Sequence, residues 1–356
     1  MKLLPHLNEM ITTSGLSGYE GPICEIIAEA WRPLTDELSL SRIGSLHGLC
    51  RGSGQQPRPS ILLATHMDAI GMIVTGIEEG FLRVGEIGGI DHRVLPGQLV
   101  TVHGRKDFPG VIVQPPAFLL PPGTGNGPVS LENLYVDTGL LPREVLRQVR
   151  VGDLISFATQ PIEMDKNILA GHSLDNRASV AALTYCLKLL QSRKHCWDVW
   201  AVATVQEEET LGGAITSAYD LDPQLAVAID VTFAKGPGTP DEESYPLGEN
   251  ITLGWGPNIH PGLYRAFEDI AKKLEIPYKL EPLPRHSGTD AMGLQIARAG
   301  IPTMVISIPL RYMHTPVEII SLKDIKRAGR LMAEFISELE ADFMQNLSLE
   351  DESTDT

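Results

Sequence analysis

Cysteine is scarce in this chain of 356 residues. Cys24, Cys50, Cys186 and Cys196 form no CxxC pair, which removes a zinc ribbon or a dithiol redox motif. So few cysteines over such a length also argue against a disulfide framework, so reduced thiols in a cytoplasmic protein are expected. Cations are short as well: 29 Lys and Arg stand against 45 Asp and Glu, a formal charge of −16. Nucleic acid is therefore not an expected partner, because phosphate binding needs clustered Lys and Arg. No apolar run reaches the length of a membrane span, and MKLLPHLNEMITTSG has no continuous apolar leader core. A membrane partner is not expected. There is no internal repeat.

What is present is an alternation of apolar runs and helical periodicity. Ile61–Thr65, Val199–Val205, Leu225–Ile229 and Thr303–Ile308 read as short strands buried on both faces of a parallel sheet. Helices are expected over Leu3–Met10, Pro22–Trp31, Ala178–Gln191, Gly213–Tyr219 and Gly262–Leu274. A last helix is expected from Ser321, where Ser321-x-x-Asp324 fits a capping box, to about Met344. Alternating strands and helices imply an α/β fold, a mostly parallel sheet flanked by helices. Between them, 70–160 is rich in Gly and Pro with short alternating pieces. It reads as an inserted β-rich, barrel-like domain. The catalytic α/β domain is then 1–69 with 161–346. Pro115–Pro128 reads as a mobile or oligomer-contacting loop. Residues 347–356, with Glu350, Asp351, Glu352 and Asp355, read as a disordered acidic tail.

Polar residues follow each apolar run. His66-Met-Asp68 follows the first and Glu207-Glu208-Glu209 the second; Asp230 ends the third, and His314 comes six residues after the fourth. In open α/β sheets, ligands bind beyond the carboxyl ends of the strands, so these residues converge on one edge. Each piece alone has a plainer reading. His66 and Asp68 fit a surface ion pair, the glutamates a solvated turn, Asp230 a loop cap and His314 a core histidine. Asp175, before the helix from Ala178, fits either an N-cap or a carboxylate bridging two metals. Two His and three carboxylates suit zinc, cobalt or manganese better than calcium or magnesium. A carboxylate free of metal must then move the proton, and Glu207 beside Glu208 can face the water while its neighbour coordinates.

Seven segments carry a resemblance that spans nearly the whole chain: Thr13-Ser-Gly-Leu-Ser-Gly-Tyr-Glu20, Thr65-His-Met-Asp-Ala-Ile-Gly71, Leu174-Asp-Asn-Arg177, Val205-Gln-Glu-Glu208, Ala228-Ile-Asp-Val-Thr232, Ser287-Gly-Thr-Asp-Ala291 and Arg311-Tyr-Met-His-Thr-Pro316. By these the chain resembles the tetrahedral aminopeptidases of metallopeptidase family 42, which includes glutamyl, leucyl, lysyl and deblocking enzymes. The resemblance implies one metal on His66, Asp175 and Asp230 and a second on Asp175, Glu208 and His314. It implies Glu207 as general base, Asp68 as the carboxylate orienting His66, and peptides as substrates. It implies assemblies from dimers to dodecameric tetrahedra through the insert. Gly288, Thr289 and Asp290 are candidates for the substrate pocket; Asp290 also fits a helix cap. His92 and His286 are candidates to approach the substrate, with a surface or loop role as the plainer reading for each. The chain departs from the family at Glu209 and Thr210, at Gly171-His172-Ser173, and near Lys235-Gly-Pro-Gly238, which bears on specificity. Some relatives are labelled endoglucanase, so a hydrolase of another substrate class is one rival; an inactive scaffold is the other.

Overall fold

The apolar runs set the architecture. The computed structural model describes residues 2–120 and 127–349. Part of the Pro115–Pro128 loop and most of the acidic tail therefore lie outside the described residues. Strands Asp198–Thr204, Ser60–His66, Leu225–Phe233 and Thr303–Arg311 lie side by side and parallel. Their residues are almost all buried, as continuous Val, Ile, Leu and Ala runs require between two helical layers. Antiparallel strands extend both edges into an 11-stranded mixed sheet.

Helix Leu174–Leu190 is buried around most of its circumference. It packs against helix Leu322–Glu338, and Gly329 permits the approach, since a Cβ there would stand 2.6 Å from the carbonyl of Ala182. That last helix stops at Glu338, well short of Met344; a separate short turn, Phe343–Asn346, follows. Its start is half of the expected capping box. Ser321 accepts from the Lys323 N–H, but Asp324 turns away to the Gly248 N–H and to Arg327.

Six strands between Gly71 and Phe157 close into an antiparallel barrel. Its first hairpin turns at Glu79-Gly80, both with positive φ (51° and 93°), as a tight hairpin demands. Met72, Val74, Leu82, Val102, Ile112 and Ile155 fill it as a core separate from that of the large sheet. The fold is thus α/β with a small closed β-barrel. No helix among the described residues is long and apolar enough to cross a membrane.

Candidate active site

The carboxyl ends of the parallel strands deliver the polar residues. His66 closes its strand in register with Thr204. Glu207 and Glu208 open the short helix Glu207–Thr210 immediately after the next strand. Asp230 does not end its strand: the ladder continues through Phe233, with Asp230 opposite Ser307. The apolar run stops at Ile229, but Val231 and Phe233 keep the pairing going. Asp175 precedes the regular part of its helix, with non-helical backbone at Asp175 and Asn176. His314 sits between strands Thr303–Arg311 and Glu318–Ser321.

These side chains meet. His66 Nε2 is 3.2 Å from Asp175 Oδ1 and 3.8 Å from Asp230 Oδ1. His314 Nε2 is 3.5 Å from the other oxygen of Asp175, Oδ2, and 3.4 Å from Glu208 Oε2. Two triads of donor atoms result, His66–Asp175–Asp230 and Asp175–Glu208–His314, each with its atoms within 4.8 Å of one another. Asp175 offers one oxygen to each. Glu207 belongs to neither triad, yet its Oε2 lies 3.8 Å from His66 Nε2.

Backbone and second carboxylates hold this arrangement. Asp68 Oδ1 is 3.5 Å from His66 Nδ1, and its two oxygens accept the N–H groups of Glu207 and Glu208 at 3.1 and 3.2 Å. One buried carboxylate thus aligns a ring and the start of a helix. Glu318, also buried, accepts from the N–H of Asp175 through one oxygen and from that of His314 through the other. Ser173, Gln206, Tyr312 and His314 all have left-handed backbone, with φ of 59° to 61°. Non-glycine residues in that region cost free energy, and such strain concentrates where a site needs it. The barrel also takes part: Asp91 N–H donates to the His314 carbonyl, and a Cβ on Gly89 would approach His314 Nδ1 to 3.1 Å.

The electrostatics ask for positive charge. Burial pushes the Glu207 carboxyl up to about 9; His66 opposes this, and Asp230, Asp290 and Asp175 add to it. Burial also drives Glu208 and Asp230 well above the carboxylate range, with Asp175 reinforcing both. Burial opposes charge on His66, but Glu207, Asp175, Asp68 and Asp230 more than offset it and raise its pKa. Carboxylates packed this closely must hold protons or a cation. Asp175 Oδ1, fully enclosed, has no hydrogen-bond partner. A buried acceptor whose nearest donor, His66 Nε2 at 3.2 Å, makes no aligned hydrogen bond to it, inside a mixed N and O donor set, fits a divalent metal.

A cavity of about 780 Å³ opens beside the two triads. Gly288, Thr289 and His286 line it. Asp290 does not; it is buried behind the wall with Oδ2 on the Thr204 hydroxyl at 2.5 Å. Glu209 turns its carboxylate away to the Gly88 N–H of the barrel at 2.7 Å. His172 is buried edge-on to Phe157, away from the cavity, and His92 pairs with Glu86. Glu318, Gly88 and Gly89 went unread in the sequence, because their roles exist only once distant segments pack together. Glu281, a cavity wall residue, was missed for the same reason.

Residues 44–331 match the family model described as M42 glutamyl aminopeptidase. The chain is 34% identical to the lysyl aminopeptidase of Pyrococcus furiosus, over 94% of this chain and 96% of that protein. Its fold is similar to the TET aminopeptidase of Thaumarchaeota archaeon SCGC AB-539-E09, with TM-score 0.92 and 30% identity, covering 97% of this chain and 99% of the other. It is similar, with TM-score 0.83 and 29% identity over 95% and 100%, to the Pyrococcus horikoshii TET1 peptidase, which can assemble into a tetrahedron or a large octahedral shell.

Proposed function

We propose, for a chain that belongs to the M42 glutamyl aminopeptidase family and is by that membership a metal-dependent aminopeptidase, a mechanism built on two divalent ions and Glu207. The observation that carries it is the pair of donor triads sharing Asp175, with Glu207 beside them but in neither. His66, Asp175 and Asp230 would hold one ion; Asp175, Glu208 and His314 would hold the other. Zinc or cobalt suits this donor set, with manganese a third candidate. When bound, such a pair supplies an activated water and polarises the carbonyl that the water attacks.

The chain's own residues do the rest. Glu207 takes the proton of the attacking water at its carboxylate and returns it to the leaving amine. Asp68 fixes the His66 ring and, through two backbone N–H groups, the position of Glu207 itself. Glu318 holds the Asp175 and His314 segments at one spacing. A free peptide amine enters the carboxylate-lined cavity as a cation and is drawn toward the cluster. The product is a free amino acid and a peptide shorter by one residue.

The barrel is the proposed contact surface for self-association, since Leu99, Phe118, Leu141, Leu146 and Val151 stand exposed on it. A cytoplasmic setting agrees with four unpaired cysteines, three of them buried.

The test is an assay of aminoacyl-p-nitroanilides with added cobalt or zinc, with and without a chelator. Chelator-sensitive release of nitroaniline supports the reading. Hydrolysis of carboxymethyl-cellulose in place of the anilides would overturn it, and a protein that binds no metal would do the same.

A further inference from the structure

Glu281 is a carboxylate in the cavity wall that the mechanism does not use. It is only 8% exposed. Thr232 donates its hydroxyl to one carboxylate oxygen at 2.5 Å and Thr252 donates to the other at 2.6 Å. These bonds fix the side chain but bring no positive charge. No Lys, Arg or His among the described residues forms an ion pair with it. A buried carboxylate held by neutral donors alone keeps a free lone pair on each oxygen and lacks a counter-charge.

Its position relative to the metal-binding cluster follows from the strand. Asp230 and Thr232 are two residues apart on the Leu225–Phe233 strand, so their side chains share a face roughly 7 Å apart. Asp230 points to the cluster and Thr232 to Glu281. The carboxylate therefore stands about one extended side chain from the place where the scissile bond must lie. Leu283, Met292 and Met313 line the same cavity and give it apolar surface suited to a methylene stem. Glu242 and Glu243, both exposed, add negative charge to the lining, and among the described residues no Lys or Arg lines this cavity.

We propose that Glu281 is a specificity residue that selects peptides with lysine or arginine at the N-terminus, its carboxylate receiving the side-chain cation. The proposal rests on the aminopeptidase reading above. Lysine fits the wall because its long apolar stem ends in an ammonium with three donors, and arginine because its fork can bind a carboxylate in bidentate fashion. An acidic N-terminal residue would meet Glu281, Glu242 and Glu243 and be rejected.

The experiment compares lysyl-, norleucyl- and glutamyl-p-nitroanilide with the metal-loaded protein and its Glu281→Gln variant. Norleucine keeps the stem and lacks the ammonium. The expected wild-type kcat/KM for lysine exceeds that for norleucine by about 30-fold or more, the scale of a desolvated charge pair, and glutamate is the poorest. Glutamine can still bond both threonines, so Glu281→Gln should bring the lysine-to-norleucine ratio near one. A purely structural role for Glu281 would lower both rates and leave the ratio unchanged, which overturns the proposal. A wild type that cleaves norleucine or glutamate better than lysine overturns it while the aminopeptidase reading stands. A wild type that cleaves none of the three removes that reading, and this proposal with it.

Discussion

Glu318 accepts the backbone N–H of Asp175 at 3.1 Å, across a separation of 143 residues. Its other oxygen takes the N–H of His314 at 3.3 Å. Two segments carrying expected metal donors are thus tied through one buried side chain that need not touch a metal itself. Glu318→Ala leaves the buried N–H of Asp175 without an acceptor, at about 1–3 kcal/mol, and frees the part-buried N–H of His314. The expected result is a lower melting temperature and a 10- to 100-fold loss of metal affinity, the usual scale for residues that orient ligands. Calorimetric metal titration reads this directly, and unchanged affinity would leave Glu318 as a fold residue only.

Glu207→Gln keeps the side-chain volume and removes the proton acceptor. Turnover should fall by roughly 10²–10⁴-fold, the range for general acid–base catalysis, while the metal-to-protein ratio stays the same. Steady-state assays beside elemental analysis make the test. Wild-type turnover would take the base role away from Glu207.

The sequence made four of the five donors legible because His66, Glu208, Asp230 and His314 follow apolar strands whose carboxyl ends can be read from the chain, while Asp175 stood before a helix, where an N-cap was an equal reading. His66 and Glu207-Glu208 stand where those runs stop. Asp230 was harder: its strand runs on through Val231 and Phe233, so the apolar run ended before the strand did. Glu318, Glu281 and the Gly88–Glu209 contact were not legible at all. Each depends on the approach of segments far apart in sequence, and none has a local pattern that marks it. The left-handed backbone of His314 was equally hidden, because only tertiary contacts hold a non-glycine residue there.

Removing one donor should separate the two triads. His314→Ala takes a ligand only from the triad with Glu208, so bound metal should fall toward one ion per chain. Asp175→Ala strips a ligand from both and should lower occupancy further. Equal stoichiometry in wild type and both variants would overturn the shared-carboxylate arrangement.

Acid should weaken the fold through two histidines outside the donor set. Burial holds His172 down to about 3, with Arg177 adding to it; contacts to the Thr315 and Ile70 backbone and to Asp175 oppose the shift. His6 is held at about 4 by burial and the N-terminal charge. Both folded values lie below the ordinary 6.5, so the unfolded chain takes protons first as pH falls. The stability is present above pH 6.5 and is lost below it, on the order of 4 kcal/mol for His172 by pH 3. His172→Phe should flatten that loss in urea melts taken between pH 7 and 4. An unchanged slope would assign acid sensitivity elsewhere.

The barrel surface makes the last prediction. Leu141 and Leu146 are 68% and 67% exposed, at the N-cap and in the last turn of helix Pro142–Gln148. Exposed leucines on a lone chain contribute little to its stability, so Leu141→Glu with Leu146→Glu should fold with a stability change within about 0.5 kcal/mol per site. At an interface between copies, the same charges would be buried and unpaired, at several kcal/mol for each contact. The variant should therefore sediment as a smaller particle than wild type while keeping its melting temperature in dilute solution. If the two sediment alike, association does not run through this helix. The exposed Leu99 and Val151 are then the next positions to charge, because they too are large apolar groups exposed on the barrel.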